Sequence, residues 1–261
     1  MEAYKIVQKA RRTERLSTIE IINALCAGFL ELHGDRIMED DQAIVSGVGI
    51  TAEHKPITVI GIQKGYNTEE NIRRNFGSSG PGGYRKAKRL MKQAEKFQRP
   101  VLTLINTAGA DATPESEEYG IGEAIASILL TMSELTVPTL AIILGEGGSG
   151  GAIGLALADE VWMLEHSIYS ILSPEGFASI LWKDASLASE AAEIMKLTAA
   201  DLKEIGVTDR IISEVDAEGV ELSNEALSQY LIPEIKKTFQ KLKKQPVAER
   251  LAKRYERFRK F

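Results

Sequence analysis

Short continuous apolar runs alternate with longer amphipathic segments along the middle of this chain. A run without a polar side predicts a strand that is buried on both faces. Apolar positions that recur every three or four residues predict a helix with one buried face, as they do between Gly83 and Gln98. Strands that alternate with helices indicate an α/β fold with a mostly parallel sheet.

The same patterns give the order of the predicted elements. Strands are predicted at residues 44–50, 56–63, 100–106, 138–144, 160–164, 168–172 and 210–213, and helices at residues 17–32, 83–98, 118–134, 152–158 and from about 247 onward. Ser17 is the predicted N-cap of the first helix, and Gly34 suits its C-terminal end. Because no repeat or linker interrupts the pattern, we expect a single domain over residues 1–261 with helical ends.

Composition narrows the class of protein. No apolar run approaches the roughly 20 residues that span a bilayer, so we expect no membrane segment. The net charge of −5 argues against a nucleic-acid-binding surface. The single cysteine, Cys26, excludes an internal disulfide and a multi-cysteine zinc site, and its apolar surroundings predict a small core residue. We expect no metal site in this chain. The N-terminus carries no secretory signal, so we expect a cytoplasmic location.

Positive charge is concentrated between Lys64 and Lys96. This segment holds nine lysines and arginines against three glutamates. It is either a solvated helix face or a docking surface for an anionic ligand or an acidic partner. The candidate docking residues are Arg73, Arg74, Arg85 and Arg89.

Two predicted strands end in turns that are poor in side chains. The first turn contains Gly109 and Ala110, and the second is the stretch from Gly145 to Gly151, with five glycines in seven residues before a helix. Glycines permit positive φ and close approach of a ligand, and the first N–H groups of a helix are unpaired at the positive end of its dipole. Such a turn binds an anion or stabilises an oxyanion. The alternative is that the glycines serve tight packing only.

The second turn also fits the pattern G-x-S-x-G around Ser149, which is typical of serine hydrolases. Such an enzyme needs a histidine base well downstream of the serine, and the chain has only three histidines, His33, His54 and His166. None follows His166, which lies only 17 residues after Ser149. A hydrolase is therefore disfavoured. A phosphate-binding P-loop is excluded because no Gly-Lys-Ser/Thr follows the glycines.

The two turns, in this order, resemble the crotonase-like fold, in which backbone N–H groups from two turns hold an oxyanion. The resemblance narrows to the alpha subunits of the bacterial acetyl-CoA carboxylase carboxyltransferase. The segments that carry it span roughly residues 30–215, the expected core, and are Gly34–Arg36, Gln63–Gly65, Asn71–Gly77, Gly83–Ala87, Gly145–Ala152 and Tyr169–Trp182.

The chain departs from this family at two places. The family has Asp-Thr-Pro-Gly-Ala-Tyr-Pro-Gly at the first turn, where this chain reads Asn106-Thr-Ala-Gly-Ala-Asp-Ala-Thr113. Loss of the proline and of the later glycine loosens the expected loop, although Gly109 is retained. Many members also carry a longer N-terminal helical extension, which is lacking here.

The resemblance implies transfer of a carboxyl group from carboxybiotin to acetyl-CoA, giving malonyl-CoA for fatty acid biosynthesis. In this chain the N–H groups of Gly150 and Gly151 would hold the biotin ureido oxygen, with Gly109, Ala110, Gly147 and Gly148 as further biotin-side candidates. The freed ureido nitrogen would take the acetyl proton, so no protein base is required. Glu175 is open to interpretation as a crotonase-type acid, and we favour a structural residue of a helix N-terminus.

The resemblance also implies partners. These are a beta subunit in an assembly of two alpha and two beta chains, the biotin carboxyl carrier protein and the biotin carboxylase of an ATP-dependent complex. Zinc would belong to the beta subunit alone, and no group would be bound covalently to this chain. The alternatives are a stand-alone crotonase-fold acyl-CoA hydratase or hydrolase and a non-catalytic scaffold.

Overall fold

The computed structural model describes residues 2–261, and over these residues a single sheet forms the centre of the chain. Its strands are β1 (Cys26–Glu31), β2 (Ile44–Thr51), β3 (Pro56–Ile62), β4 (Val101–Thr107), β5 (Thr139–Gly148), β6 (Glu160–Leu164), β7 (Ile168–Ser170) and β8 (Arg210–Ile212). Their spatial order is β1-β2-β3-β4-β5-β6-β8, and β7 pairs with the end of β5. The pairs from β3 to β8 are parallel, whereas β1, β2 and β3 pair antiparallel. The predicted mostly parallel sheet is therefore confirmed.

Helices cover both faces of the sheet. They are α1 (Ala3–Ala10), α2 (Thr18–Leu25), α3 (Thr68–Arg73), α4 (Pro81–Lys96), α5 (Pro114–Glu118), α6 (Ile121–Glu134), α7 (Ser149–Ala156), α8 (Pro174–Phe177), α9 (Ala188–Met195), α10 (Ala199–Glu204), α11 (Asn224–Lys243) and α12 (Val247–Phe258). Shorter helical turns lie at Asn75–Gly77, Ala178–Trp182 and Ala185–Leu187. Among residues 2–261 no helix combines the length and apolar character that crossing a bilayer requires.

The core consists of two main layers, one on each side of the sheet. Along β5 successive side chains alternate between them, because neighbouring residues of a strand point to opposite faces. Ala141 and Ile143 pack toward α4, α6 and α7. Leu140 and Ile142 pack toward α2 and α11. Because β5 is buried on both faces, it reads in the sequence as a continuous apolar run.

The predicted helix over residues 17–32 is wrong in its second half. α2 ends at Leu25, and Cys26–Glu31 forms the edge strand β1. The strand can approach β2 because Gly47 carries no side chain, and a Cβ there would overlap the Leu30 carbonyl oxygen. The continuous apolar run around Cys26 gave no periodicity that separates helix from strand. Cys26 is half-buried at this edge, and burial raises the pKa of its thiol to about 11.

Two further predicted boundaries differ from the structure. The helix predicted over residues 118–134 corresponds to α6, which begins at Ile121, and a separate helix α5 ends at Glu118, with Gly120 between them at a φ of 82°. The strand predicted over residues 138–144 continues to Gly148, and α7 begins at Ser149 rather than at residue 152. The glycine stretch is thus extended strand for half of its length, because β7 pairs with it and supplies hydrogen bonds there.

The last helix, α12, is attached to the core by buried arginines. Arg254 is 2% exposed and donates to Asp159 Oδ1 from Nε at 3.0 Å and from Nη2 at 2.6 Å. It also donates to the carbonyl oxygens of Met132 and Leu135. Arg250 Nε lies 3.2 Å from the other oxygen of Asp159. Asp159 lies three residues after α7, so these contacts tie α12 to the end of the helix that follows the glycine stretch.

We expect Arg254→Met to lower the free energy of unfolding by about 3–5 kcal/mol, because it leaves the buried Asp159 carboxylate short of a partner. Lys253→Met is the matched control, since Lys253 pairs with Glu249 on the exposed side of the same helix. That pair contributes about 0.3–0.5 kcal/mol. Urea unfolding of the purified chain measures both variants, and an equal effect of the two would contradict the structural role of Arg254.

Candidate active site

The two side-chain-poor turns lie side by side at one edge of the sheet. β4 and β5 are parallel neighbours, so their carboxyl ends meet at the same edge, and Thr107 is paired with Gly147. The turn from Ala108 to Ala110 follows β4, and α7 follows β5. The structure therefore brings Gly109 and Ala110 together with the glycine stretch that the sequence placed 35 or more residues later.

The glycines permit the two turns to make backbone contact. A Cβ at Gly148 would overlap the carbonyl oxygen of Ala108. A Cβ at Gly151 would lie 2.7 Å from the Ala110 nitrogen and 3.1 Å from the Gly109 carbonyl carbon. The first distance is shorter than a side-chain carbon tolerates, and the second is a tight contact. Gly148 and Gly151 are thus required by packing, and a side chain at either position would separate the turns.

Gly150 differs from its neighbours. It is partly exposed, and the nearest atoms to a Cβ built there belong to the Ile125 side chain at 3.5 Å, an ordinary contact. The left-handed backbone expected of the glycines occurs instead at Ser149, with φ of 56°. Gly150 and Gly151 are the second and third residues of α7, and within residues 2–261 no side chain caps this end. Their N–H groups have no partner inside the helix and lie at the positive end of its dipole.

The first turn is held by a threonine. The Thr107 hydroxyl donates to the Gly109 carbonyl oxygen at 2.7 Å and accepts from the Gly109 N–H at 3.0 Å. Asn106 anchors the other side, because its Oδ1 accepts from the Glu146 N–H at 3.1 Å. These contacts fix the turn, although residues 106–113 contain no proline.

No histidine is arranged as a base for Ser149. The Ser149 side chain is exposed, and in the described part of the chain no hydrogen bond joins it to a histidine. His166 is buried, and its Nδ1 lies 3.2 Å from Glu214 Oε2. His33 and His54 are exposed. The geometry therefore offers no nucleophile and base pair of the hydrolase type.

A network of charged side chains lies beneath the glycine stretch. Arg11, just after α1, donates from Nε to Glu146 Oε1 at 2.8 Å. The same guanidinium binds both carboxylate oxygens of Glu175, at 2.8 and 3.0 Å. Lys64 donates to the other oxygen of Glu146 at 2.7 Å. Burial alone would raise the pKa of Glu146, but the charges and hydrogen bonds of Lys64 and Arg11 lower it below its usual range.

Glu175 is a structural residue of this network. It occupies the first turn of α8, where Pro174 is the first residue and the Ser173 hydroxyl accepts the Gly176 N–H. The hydrogen bonds from Arg11 lower the pKa of the Glu175 carboxyl from 4.5 to about 2. A carboxyl group with that pKa is ionised at neutral pH and cannot act as a general acid.

Most of the candidate docking arginines bind backbone carbonyl groups of the chain itself. Arg89 donates to Gly34 at 3.0 Å, Arg74 to Gln42 at 2.8 Å, and Arg85 to Tyr119. Arg85 also lies 3.7 Å from the buried carboxylate of Asp35. Arg73 has a side chain that is 53% exposed and pairs with Glu70 at 3.1 Å.

The sequence patterns did not predict Arg11 as a residue of the site. It lies 135 positions before Glu146 and 164 before Glu175, and it belongs to no local motif. Lys64 was noted only as one end of the basic segment. No signal in a single sequence indicates such long-range ion pairs.

Comparisons with known proteins identify the family of the chain. The model of the family described as "Acetyl co-enzyme A carboxylase carboxyltransferase-like" matches residues 1–261. A protein of Streptococcus pneumoniae named "Acetyl-coenzyme A carboxylase carboxyl transferase subunit alpha" is 53% identical over 261 residues, which is 100% of both chains.

Solved structures are similar at low sequence identity. Transcarboxylase 12S has a TM-score of 0.71 at 15% identity, covering 90% of this chain and 43% of that one. A Pseudomonas malonate decarboxylase hetero-tetramer in complex with coenzyme A has a TM-score of 0.68 at 14% identity, covering 90% of this chain and 91% of that one. The beta subunit of geranyl-CoA carboxylase from P. aeruginosa has a TM-score of 0.61 at 16% identity, covering 84% and 40%. The crotonase-like fold expected from the sequence is confirmed by these likenesses.

We expect the network at Glu175 and Glu146 to stabilise the chain above pH 4.5 and to lose this effect as pH falls toward 2. Both carboxyl groups have a lower pKa in the folded chain than in the unfolded one, so folding favours their ionised forms. Arg11→Met should lower the melting temperature at pH 7, and the difference from the unchanged chain should narrow below pH 4.5.

Arg12→Met is the control for this measurement. The Arg12 side chain is 53% exposed, and its pair with Glu221 is long, at 3.7 Å. Its replacement should have little effect at either pH. A difference at Arg11 that stays constant as pH falls from 7 through 4.5 to about 2 would contradict the ionic origin of the stabilisation.

Proposed function

The chain belongs to the acetyl-CoA carboxylase carboxyltransferase family of alpha subunits, and from this premise we propose that it supplies the biotin-side oxyanion hole of a two-subunit active site. The reaction is transfer of a carboxyl group from carboxybiotin, carried on a separate carrier protein, to acetyl-CoA, giving malonyl-CoA. The observation that carries the proposal is the uncapped N-terminus of α7 beside the turn after β4.

The N–H groups of Gly150 and Gly151 are the proposed donors. As the carboxyl group leaves biotin, negative charge develops on the ureido oxygen, and two fixed donors at a positive helix end stabilise it. One such donor contributes about 3 kcal/mol of transition-state stabilisation. Gly109, Ala110, Gly147 and Gly148 form the adjoining backbone surface of the biotin side. Because these positions lack bulky side chains, a ligand can approach the backbone closely.

The proposed chemistry needs no acid or base from this chain. The bond between the carboxyl carbon and the ureido nitrogen breaks, the nitrogen takes a proton from the acetyl methyl group, and the resulting enolate carbon forms the new bond to the carboxyl carbon. The ion pairs of Glu146 and Glu175 support this scheme, because neither carboxylate is free to exchange a proton.

The partners follow from the same premise. We infer that a beta subunit supplies the hole for the thioester enolate and the only zinc, in an assembly of two alpha and two beta chains. The biotin carboxyl carrier protein brings carboxybiotin, and a biotin carboxylase charges it with ATP. We further propose a cytoplasmic location. Arg73 is the most accessible of the candidate docking arginines, and Arg74, Arg85 and Arg89 would act by shaping the same surface.

A stand-alone hydratase or hydrolase is less well supported. Ser149 lacks a base, and Glu175, the residue that would act as a crotonase-type acid, is held ionised by Arg11. A non-catalytic scaffold would not need an open helix N-terminus at the edge of the sheet.

The proposal is tested by a pair of substitutions at Gly150 that differ in one N–H group. Gly150→Ala keeps the donor, and its Cβ would make an ordinary contact with Ile125. Gly150→Pro removes the donor without breaking a helical hydrogen bond, because the N–H groups of the first turn are unpaired, and it also restricts the backbone of Ser149 before it. In the complex reconstituted with the beta subunit, we expect the alanine variant to keep at least about a third of the rate of malonyl-CoA formation. The proline variant should lose about a hundredfold or more.

Two controls accompany this pair. Both variants must co-elute with the beta subunit, and their melting temperatures must agree within a few degrees. A proline variant that folds, assembles and is as active as the alanine variant would sink the assignment of Gly150 as a donor.

A further inference from the structure

Tyr84 lies behind the candidate oxyanion hole. It is the fourth residue of α4, its side chain is 0% exposed, and it belongs to the core layer beneath α6 and α7. Its hydroxyl oxygen points at Gly151, where a Cβ would overlap it. The same Cβ position is 2.7 Å from the Ala110 nitrogen. The hydroxyl thus reaches the place where the two turns meet.

This hydroxyl has no hydrogen-bond partner among residues 2–261. Burial, with a contribution from the charge of Asp41, raises the pKa of Tyr84, so the group stays protonated and neutral. A buried hydroxyl without a partner costs stability, whereas phenylalanine would fill the same ring space without that cost. Packing therefore does not explain why residue 84 is a tyrosine and not a phenylalanine. The location of the hydroxyl oxygen beside Gly151 suggests a reason.

We propose that Tyr84 is a positioning residue of the oxyanion hole, whose hydroxyl occupies the space left by the missing side chain of Gly151 and sets the distance between the two turns. The oxygen packs against Gly151 beside the place where Ala110 approaches the same residue, so it limits how the first turn of α7 can shift and where the N–H groups of Gly150 and Gly151 point. It does not touch a substrate, because Gly151 lies between. The proposal rests on the proposed function of these N–H groups.

The first measurement uses Tyr84→Phe in the complex reconstituted with the beta subunit. Removing one oxygen lets the turns shift by a fraction of an ångström, and geometry of this kind controls rate steeply. We expect kcat to fall about tenfold. KM for acetyl-CoA should change less than about twofold, since the substrate contacts are untouched. The melting temperature should stay equal or rise. Tyr230→Phe is the matched control. Tyr230 lies on the distant helix α11, its hydroxyl accepts a hydrogen bond from Arg210 in β8, and its loss should leave kcat unchanged.

The second measurement tests the contact without any assay of activity. Gly151→Ala should lower the melting temperature of the chain, and the double variant with Tyr84→Phe should recover part of that loss, because the nearest clashing atom is gone. The clash with Ala110 remains, so recovery should be partial.

The outcomes distinguish the positioning role of Tyr84 from the proposed function of the Gly150 and Gly151 N–H groups. A tenfold loss of kcat at Tyr84→Phe together with partial recovery in the double variant supports the positioning role. A kcat within twofold of the unchanged complex, or melting temperatures that are simply additive, overturns it. If the unchanged complex forms no malonyl-CoA, the proposed function itself fails, and the melting temperatures still decide whether the Tyr84 hydroxyl packs against Gly151 and limits the movement of this turn.

Discussion

The candidate site depends on one constraint, the direct backbone contact between the turn after β4 and the start of α7. This contact exists only because Gly148 and Gly151 have no side chains, since a Cβ at either would collide with the backbone of residues 108–110. Close contact keeps the first N–H groups of α7 beside the first turn. The site is therefore formed by backbone packing, and its positive potential comes from the N-terminus of α7.

Both ends of the chain stabilise the elements that form this contact. α1 and the segment after it bring Arg11 to Glu146, in the middle of the glycine stretch, and to Glu175 in α8. α12 brings Arg254 to Asp159, just after the other end of α7. Both chain ends therefore hold α7 and the strand before it, although they lie far from the centre of the sequence. A site that uses fixed backbone donors depends on such support, because its donors cannot adjust as a flexible side chain can.

The sequence predicted most of the sheet, since strands buried on both faces leave continuous apolar runs such as the one in β5. The resemblance to the crotonase-like fold predicted that Gly109 and Gly150 belong to one site, and the structure places the two turns side by side because β4 and β5 are parallel neighbours. The sequence patterns failed at β1, where pairing with Gly47 in β2 decides between helix and strand and no local pattern does. The partners of Arg11 could not be predicted, since ion pairs across more than 100 positions leave no periodic signal. The distinction between Gly150, which is open, and Gly151, which is packed, also required coordinates.

The central claim is that the backbone of α7 in this chain binds the ureido oxygen of biotin. A crystal structure of the chain with its beta subunit and biotin would measure the relevant distances directly. We predict that the ureido oxygen lies about 2.7–3.1 Å from the backbone nitrogen of Gly150, Gly151 or both. Biotin bound away from the turns, or with its ureido oxygen held by side chains and not by these nitrogens, would contradict it.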